Sequence, residues 1–418
     1  MNRLVLIGNG FDLAHGLKTR YEDFLNWYWE DVGIRLLRGT TKIVSDELCL
    51  FVMKDIIGVP SWGYAWGHYY QRENPFEPWD VNAVVSTAKE DEQLCQFNIT
   101  SPLFERICEQ VTMGWVDIEN EYYTFLKDYV LENASETQIE ELNKQLRYIQ
   151  DRLVEYLKGI DISDKLLKTG IRQKIYAPFK RTDISIEGQY ALIEHIRAGF
   201  ERDENEWSWI NYQYDNRSLS KGRVDEYKKR CKTDQYLLDD EDPPMELMLP
   251  NQIMLLNFNY THTAQLYCKD PSVFSVNQIH GDLDHPSSVI FGYGDELDQD
   301  YKSILNKNNN KYLGNIKSIK YLEADNYRRM LSFIESEPYQ ILIMGHSCGN
   351  SDRTLLNTLF EHKNCVSIKP YYYKWGDGEK DDNYMELAQN ISRNFKDMKL
   401  MRDRVVNKTY CEPLTNKL

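Results

Sequence analysis

An α/β fold with an open, mostly parallel sheet, interrupted by a large α-helical insertion, is what this sequence predicts. Three observations predict it. Short β-branched and leucine-rich runs stop at glycine or polar corners at both ends of the chain, Leu4 to Ile7 being the first. A helical apolar stripe follows that first run. The middle of the chain is charged and carries apolar residues at helical rather than alternating spacing.

Taken in order, Leu4 to Ile7 reads as a buried parallel strand ending at Gly8. Leu17, Tyr21, Phe24, Leu25 and Tyr28 then recur at helical spacing, so the opening is strand, glycine turn, helix. Ile118, Tyr122, Phe125, Leu126 and Tyr129 line one helix, and Leu142, Leu146, Ile149, Leu153 and Tyr156 a second. Asn133-Ala134-Ser135-Glu136 is the break and cap between them. The polar stretch from Asp203 to Pro244 reads as a long loop or short helices. Late strands are predicted at Ile253–Phe258, Phe274–Ile279, Val289–Phe291, Ile341–Met344 and Val366–Ile368. Helices are predicted at Ser351–Phe360 and along Tyr384, Leu387, Ile391 and Phe395. At 418 residues the chain exceeds one ordinary core, so residues 1–60 and 250–418 are expected to form one discontinuous α/β domain. Residues 61–249 are expected to form a mainly α-helical insertion.

A net charge of -15 argues against a surface that neutralises many phosphates, so duplex nucleic acid is not an expected partner. No segment approaches the roughly 20 apolar residues that span a bilayer, and the N-terminal apolar run is too short for a signal peptide. A cytoplasmic protein without a membrane partner is therefore expected. The eight cysteines show no CxxC pair and no metal-finger spacing, so they read as scattered reduced thiols, and no metal site is expected.

Parallel sheets collect ligands at the carboxyl ends of their strands, so the corners carry the candidate chemistry. After the first strand come Gly8, Asn9, Gly10, Phe11 and Asp12, then His15. Glycines at 8 and 10 would allow positive φ and a close backbone approach to an anion, although the full GxGxxG is missing because position 13 is leucine. Asn257-Phe258-Asn259-Tyr260-Thr261 ends the next strand, and asparagines there can bond ribose hydroxyls or orient a water. His280 followed by Gly281 is placed to act as a general base, with a histidine bonded to its own loop as the plain alternative. Gly292 closes a further corner, and Gly345, His346, Ser347 and Asp352 close the last. Gly345-His346-Ser347-Cys348-Gly349 also matches the GxSxG elbow of α/β-hydrolases. That mechanism needs a histidine well downstream of the serine, and His362, one helix later, is the last in the chain, so the hydrolase reading is rejected. The glycine-bearing corners on one sheet edge point instead to a Rossmann-like sheet with a nucleotide against it.

The run from Leu4 through Gly8-Asn9-Gly10-Phe11-Asp12 to His15-Gly16-Leu17, with Tyr21 and Phe24, resembles the start of the bacterial AbiH abortive-infection family. Asn257 to Thr261, Ile279-His280-Gly281, Phe291-Gly292 and Gly345 through Asp352 are similar to its later blocks in the same order, with Trp115 and Glu119 as a family-like feature of the insert. More distantly the series is similar to sirtuin-like NAD-consuming domains. That resemblance implies a sirtuin-like sheet, NAD as substrate or bound ligand, and Asn259 and His280 as catalytic. It further implies ligand contacts at Gly8, Asn9, Gly10, Phe11, Asp12, His15, Tyr260, Thr261, Gly281, Gly292, Gly345, His346, Ser347 and Asp352. Thr261 departs from the sirtuin-type aspartate and the zinc ribbon is absent, which leaves NAD hydrolysis rather than deacylation, or a nucleotide sensor without turnover. Expected partners are a small nucleotide and a phage-derived trigger acting through the helical insertion, with a homo-oligomer left open. The tryptophans of the insert (Trp62, Trp66, Trp115, Trp207, Trp209) read as packing before they read as a partner surface.

Overall fold

A computed structural model describes residues 1–38, 43–53, 95–112, 117–213, 221–231, 233–239, 243–268, 274–378 and 380–415. Five strands form one parallel sheet: β1 (Asn2–Ile7), β5 (Ile253–Asn257), β6 (Phe274–Gln278), β7 (Tyr339–Met344) and β8 (Cys365–Tyr371). Their spatial order is β6-β5-β1-β7-β8, every neighbouring pair parallel. The chain therefore fills one side of β1 first and then the other, and the order reverses between β1 and β7. A reversal of this kind, at the carboxyl ends of the two strands, is where parallel sheets usually collect ligands.

β1, β5, β7 and β8 are buried at every position, as strands covered on both faces must be. The two-residue period sorts their side chains cleanly. Leu4, Leu6, Met254, Leu256, Ile341 and Ile343 face helices Asn326–Ser336, Arg353–Phe360 and Tyr384–Arg393. Val5, Ile7, Leu255, Leu342 and Met344 face Phe11, Ile171, Ile175 and Tyr267 on the other side.

A second, antiparallel sheet joins β2 (Ile43–Ser45), β3 (Cys49–Met53) and β4 (Cys95–Ile99). β4 lies in the stretch expected to be a mainly α-helical insertion, and β2 and β3 in the first 60 residues, which were expected to belong with the parallel sheet. The antiparallel sheet packs with α2 (Tyr21–Arg38), α3 (Pro102–Thr112), α4 (Ile118–Leu131) and α5 (Glu136–Lys158), which follow the short α1 (Asn9–Ala14). The predicted break holds: Asn133 takes φ 53°, and Ser135 with Gln138 forms a reciprocal capping box at α5, a feature worth about 1 kcal/mol. Short helices occupy Glu204–Gln213, Lys221–Arg230 and Asp234–Asp239, and Trp207 is buried among them. Trp62, Trp66 and Trp115 lie outside the described residues, as does the side chain of Trp209.

The strand predicted at Val289–Phe291 does not form. The segment is extended, but Ile290 N donates to His280 O, and the nearest pairing is a single bridge between Tyr293 and Ile316. Three apolar residues sufficed to suggest a strand, but the segment forms no ladder with the outer edge of β6: its bond toward that side goes to His280 O, past the end of the strand.

Candidate functional site

The loops after β1, β5, β6 and β7 meet. Gly8 N donates to Met344 O (3.3 Å), Gly10 N to Gly345 O (2.8 Å), and Asn259 Nδ2 to Gly8 O (3.0 Å). Gly345, at φ 76°, lies so close that a Cβ on it would meet Phe11 N at 2.0 Å, and a Cβ on Gly10 would meet the Gly345 Cα at 2.9 Å. These glycines are thus required by the contact between the β1 and β7 loops. The expected positive φ at positions 8 and 10 is absent: Gly8 is extended at -121° and Gly10 is helical. The Gly8, Gly10 and Phe11 amides all donate to protein carbonyls, so the loop offers a ligand the Asn9 side chain rather than a nest of free N–H groups.

Asp352 is the hub of a buried polar cluster beside these loops. Its Oδ1 lies 2.9 Å from Lys317 Nζ and 3.2 Å from His280 Nε2, and its Oδ2 faces His346 Nε2 at 3.6 Å, too long for a hydrogen bond. Lys317 also reaches Glu119 Oε2 at 2.8 Å, while Glu119 Oε1 accepts from Gly292 N at 3.1 Å. A Cβ on Gly292 would meet Asn315 O at 2.0 Å, so only glycine lets that amide approach the carboxylate. Phe258 stands edge-on to both imidazoles, 5.3 Å from His280 and 4.1 Å from His346. All five polar side chains are buried.

Burial shapes their protonation. It works against the charge of Asp352, yet Lys317 and His280 outweigh it and hold that carboxyl well below the usual range. Burial pulls Lys317 down, and the Asp352 and Glu119 carboxylates more than restore it. Glu119 is left with burial dominant and is pushed up to about 7. His280 is lowered by burial and by Lys317, against the pull of Asp352, so it is neutral at neutral pH. Nε2 hydrogen-bonds Tyr321 Oη at 3.1 Å and lies 3.2 Å from Asp352 Oδ1 without hydrogen-bond alignment; the charge of that carboxylate favours the proton on Nε2, which makes Nδ1 the basic nitrogen. That Nδ1 has no hydrogen-bond partner among the described residues.

Not every predicted position turns toward this cluster. His15 uses both ring nitrogens, on Phe11 O (2.7 Å) and Tyr267 Oη (2.6 Å), and Phe11 is core. Asp12 is buried, and burial pushes it up to about 6; Thr261 Oγ1 donates to its Oδ2 at 2.6 Å. Tyr260 donates to Ile290 O, and Gly281, at φ 79°, lets the His280 loop pass under Ser288. Asn9 and Ser347 are exposed at the rim. His362 bonds Glu335 beside the start of β8, at the sheet edge away from Ser347, which agrees with the rejection of a hydrolase triad. Lys317 and Tyr321, whose hydroxyl is 3.1 Å from His280 Nε2, had no signal in the sequence: Lys317 is one of several lysines between 302 and 320. The sequence also showed no metal spacing, yet His262, Asp282 and Asp284 bring their donor atoms within 4.8 Å of one another.

No helix among the described residues is long and apolar enough to cross a membrane. Neither the curated proteins nor the solved structures hold a significant match to the chain. A family model described as bacteriophage abortive infection AbiH matches residues 4–373, so it takes in every strand corner described above as well as Glu119 and Lys317. The chain belongs to the AbiH abortive-infection family.

Proposed function

We propose that this AbiH protein is an abortive-infection effector that binds NAD at the carboxyl ends of the parallel strands and hydrolyses its nicotinamide N-glycosidic bond. The observation that carries the reading is His280: a neutral, buried imidazole just past the carboxyl end of β6, backed by a buried ionised carboxylate and with Nδ1 unpartnered among the described residues. A strand order reversing between β1 and β7, as in Rossmann-like sheets, favours a nucleotide there. Asp12, seated on Thr261, supplies a carboxyl near the position where the sirtuin-like pattern lacks one.

In this reading the C1′–N bond breaks with its electron pair leaving on nicotinamide, and positive charge develops on the ribose. Water attacks C1′ and gives its proton to His280 Nδ1, and the resulting imidazolium is stabilised by Asp352 3.2 Å behind it. Asn259 orients the ribose, and Asn9 and Ser347 meet the phosphates at the rim. Glu119 belongs to the inserted helix α4 and reaches Asp352 through Lys317, which gives a phage-derived trigger acting on the insertion a short route to the base.

A second reading, a nucleotide sensor without turnover, is favoured by the burial of His280, which is only 3% exposed. One experiment separates the two. Purified protein is incubated with NAD and the products are resolved by chromatography. Released nicotinamide, reduced by about 10² to 10⁴ in His280→Ala with an unchanged melting curve, supports hydrolysis. Retained NAD without product supports the sensor, and an H280A variant that turns over NAD at the parental rate overturns the catalytic assignment.

A further inference from the structure

β5 and β6 are adjacent parallel strands that end in register, Asn257 opposite Gln278, so the loops beyond them leave side by side. The first places His262 five residues past its strand; the second places Asp282 and Asp284 four and six residues past its own. Residues twenty positions apart in sequence are thereby brought together, with Nε2 of His262 3.1 Å from Asp284 Oδ2 and one donor atom of each of the three residues within 4.8 Å of the others. A tetrahedral zinc site with bonds near 2.0–2.1 Å sets its donor atoms about 3.3 Å apart, so small side-chain adjustments close this group around an ion.

A second observation separates the group from an ordinary surface ion pair. His262 Nε2 is shielded from solvent and makes no hydrogen bond, although the Asp284 carboxylate is within 3.1 Å: the ring nitrogen does not direct a proton at that oxygen. The His262 side chain is 32% exposed, but this one atom, beside two carboxylates, is shielded and left without a hydrogen bond, and a cation would supply its partner. The surroundings suit one. Gln265 bonds Nδ1 of the same ring at 3.0 Å, and turning its amide over presents Oε1, which puts the ring proton on Nδ1 and frees the Nε2 lone pair. His285 Nδ1 and backbone N both bond Asp282 Oδ1, at 3.0 and 2.9 Å, fixing that carboxylate from outside.

We propose that His262, Asp282 and Asp284 form a binding site for a divalent transition-metal ion of the zinc type. One imidazole and two carboxylates fill three positions and leave the fourth for water or an anionic oxygen. The two negative charges balance the ion, and the site stands whether or not the His280 cluster hydrolyses NAD.

The test uses full-length protein freed of metal by a chelator and titrated calorimetrically with Zn²⁺, with Co²⁺ absorption as a second probe. The expected result is one equivalent bound, a higher melting temperature with Zn²⁺, and binding weakened roughly tenfold or more in both His262→Ala and Asp284→Asn. His362→Ala, at the other edge of the sheet, should bind as the parent does. Asp284 is 73% exposed, so its variant keeps the test decisive if the histidine variant fails to fold. Absence of stoichiometric binding in the parent, unchanged binding in Asp284→Asn, or a thiolate charge-transfer band with Co²⁺ that puts the metal on cysteine would each overturn the assignment.

Discussion

Two buried lysines in this protein have opposite surroundings. Lys369, on β8, meets Asp183 at 2.9 Å and no second carboxylate among the described residues, one charge against one. Lys317 is shared between Glu119 at 2.8 Å and Asp352 at 2.9 Å, and Asp352 in turn faces two imidazoles. The first arrangement is neutral by itself and ties β8 to a neighbouring turn. The second has one carboxylate too many for its single ammonium, so one carboxyl stays ionised and the other is driven toward the proton at neutral pH. Asp352 well below the usual range and Glu119 near 7 are the two halves of that division. Acid and base assignments are found where environments push titrations apart in this way.

The largest expected effect breaks both arrangements in turn. Lys317→Met strands two buried carboxylates and is expected to cost about 5 kcal/mol at pH 8, whereas Lys369→Met strands one and costs about 3 kcal/mol. Urea unfolding of both variants and the parent measures the difference. Equal costs would mean that Glu119 contributes nothing to the cluster and that the contrast between the two lysines is empty.

How much of this was legible beforehand follows from the range of the interactions. The strands at Leu4, Ile253, Phe274, Ile341 and Val366 were legible because each is a local apolar run, and the break at Ser135 because a capping box is four residues long. The corners at 8, 259, 280 and 345–352 were legible because parallel strands deliver their carboxyl ends to one edge. Val289–Phe291 failed since a strand needs a partner, which a local pattern does not show. The glycines at 8 and 10 carry a constraint that their own neighbourhood does not show: a loop more than 300 residues away packs against them, and neither takes the positive φ expected of it. Lys317 and the His262–Asp284 group depend on contacts across 198 and 22 residues, and nothing in their own neighbourhoods marks them.

A smaller effect sharpens the unequal division of protons. Glu119 in the fold is raised to about 7 from an ordinary 4.5, so the folded state binds its proton more tightly than the unfolded chain does. Its stabilising contribution is therefore complete below about pH 4.5 and is lost as pH rises through 7. Glu119→Gln has no such titration. Relative to the parent it should gain on the order of 1–3 kcal/mol between pH 5 and pH 8, read from denaturation midpoints at each pH. A parent-to-variant difference that stays constant over that window would remove Glu119 as the group that takes up the proton.

The smallest effect compares two buried tyrosines, one at each edge of the sheet. Tyr339 donates to Leu359 O at 2.7 Å, and Tyr339→Phe leaves that carbonyl short of a partner, a loss of about 1–2 kcal/mol. Tyr321 meets His280 Nε2 at 3.1 Å, but the same nitrogen keeps Asp352 Oδ1 at 3.2 Å, so Tyr321→Phe should cost less than about 1 kcal/mol. The order of the two values tests more than stability. If Tyr321→Phe proves the costlier, the tyrosine rather than the carboxylate holds the ring, and its hydroxyl is donating to a bare Nε2. The proton of His280 then sits on Nδ1, and the nitrogen assigned as the base has nothing with which to accept. Nitrogen-15 shifts of the His280 ring in parent and variant decide between the two tautomers directly.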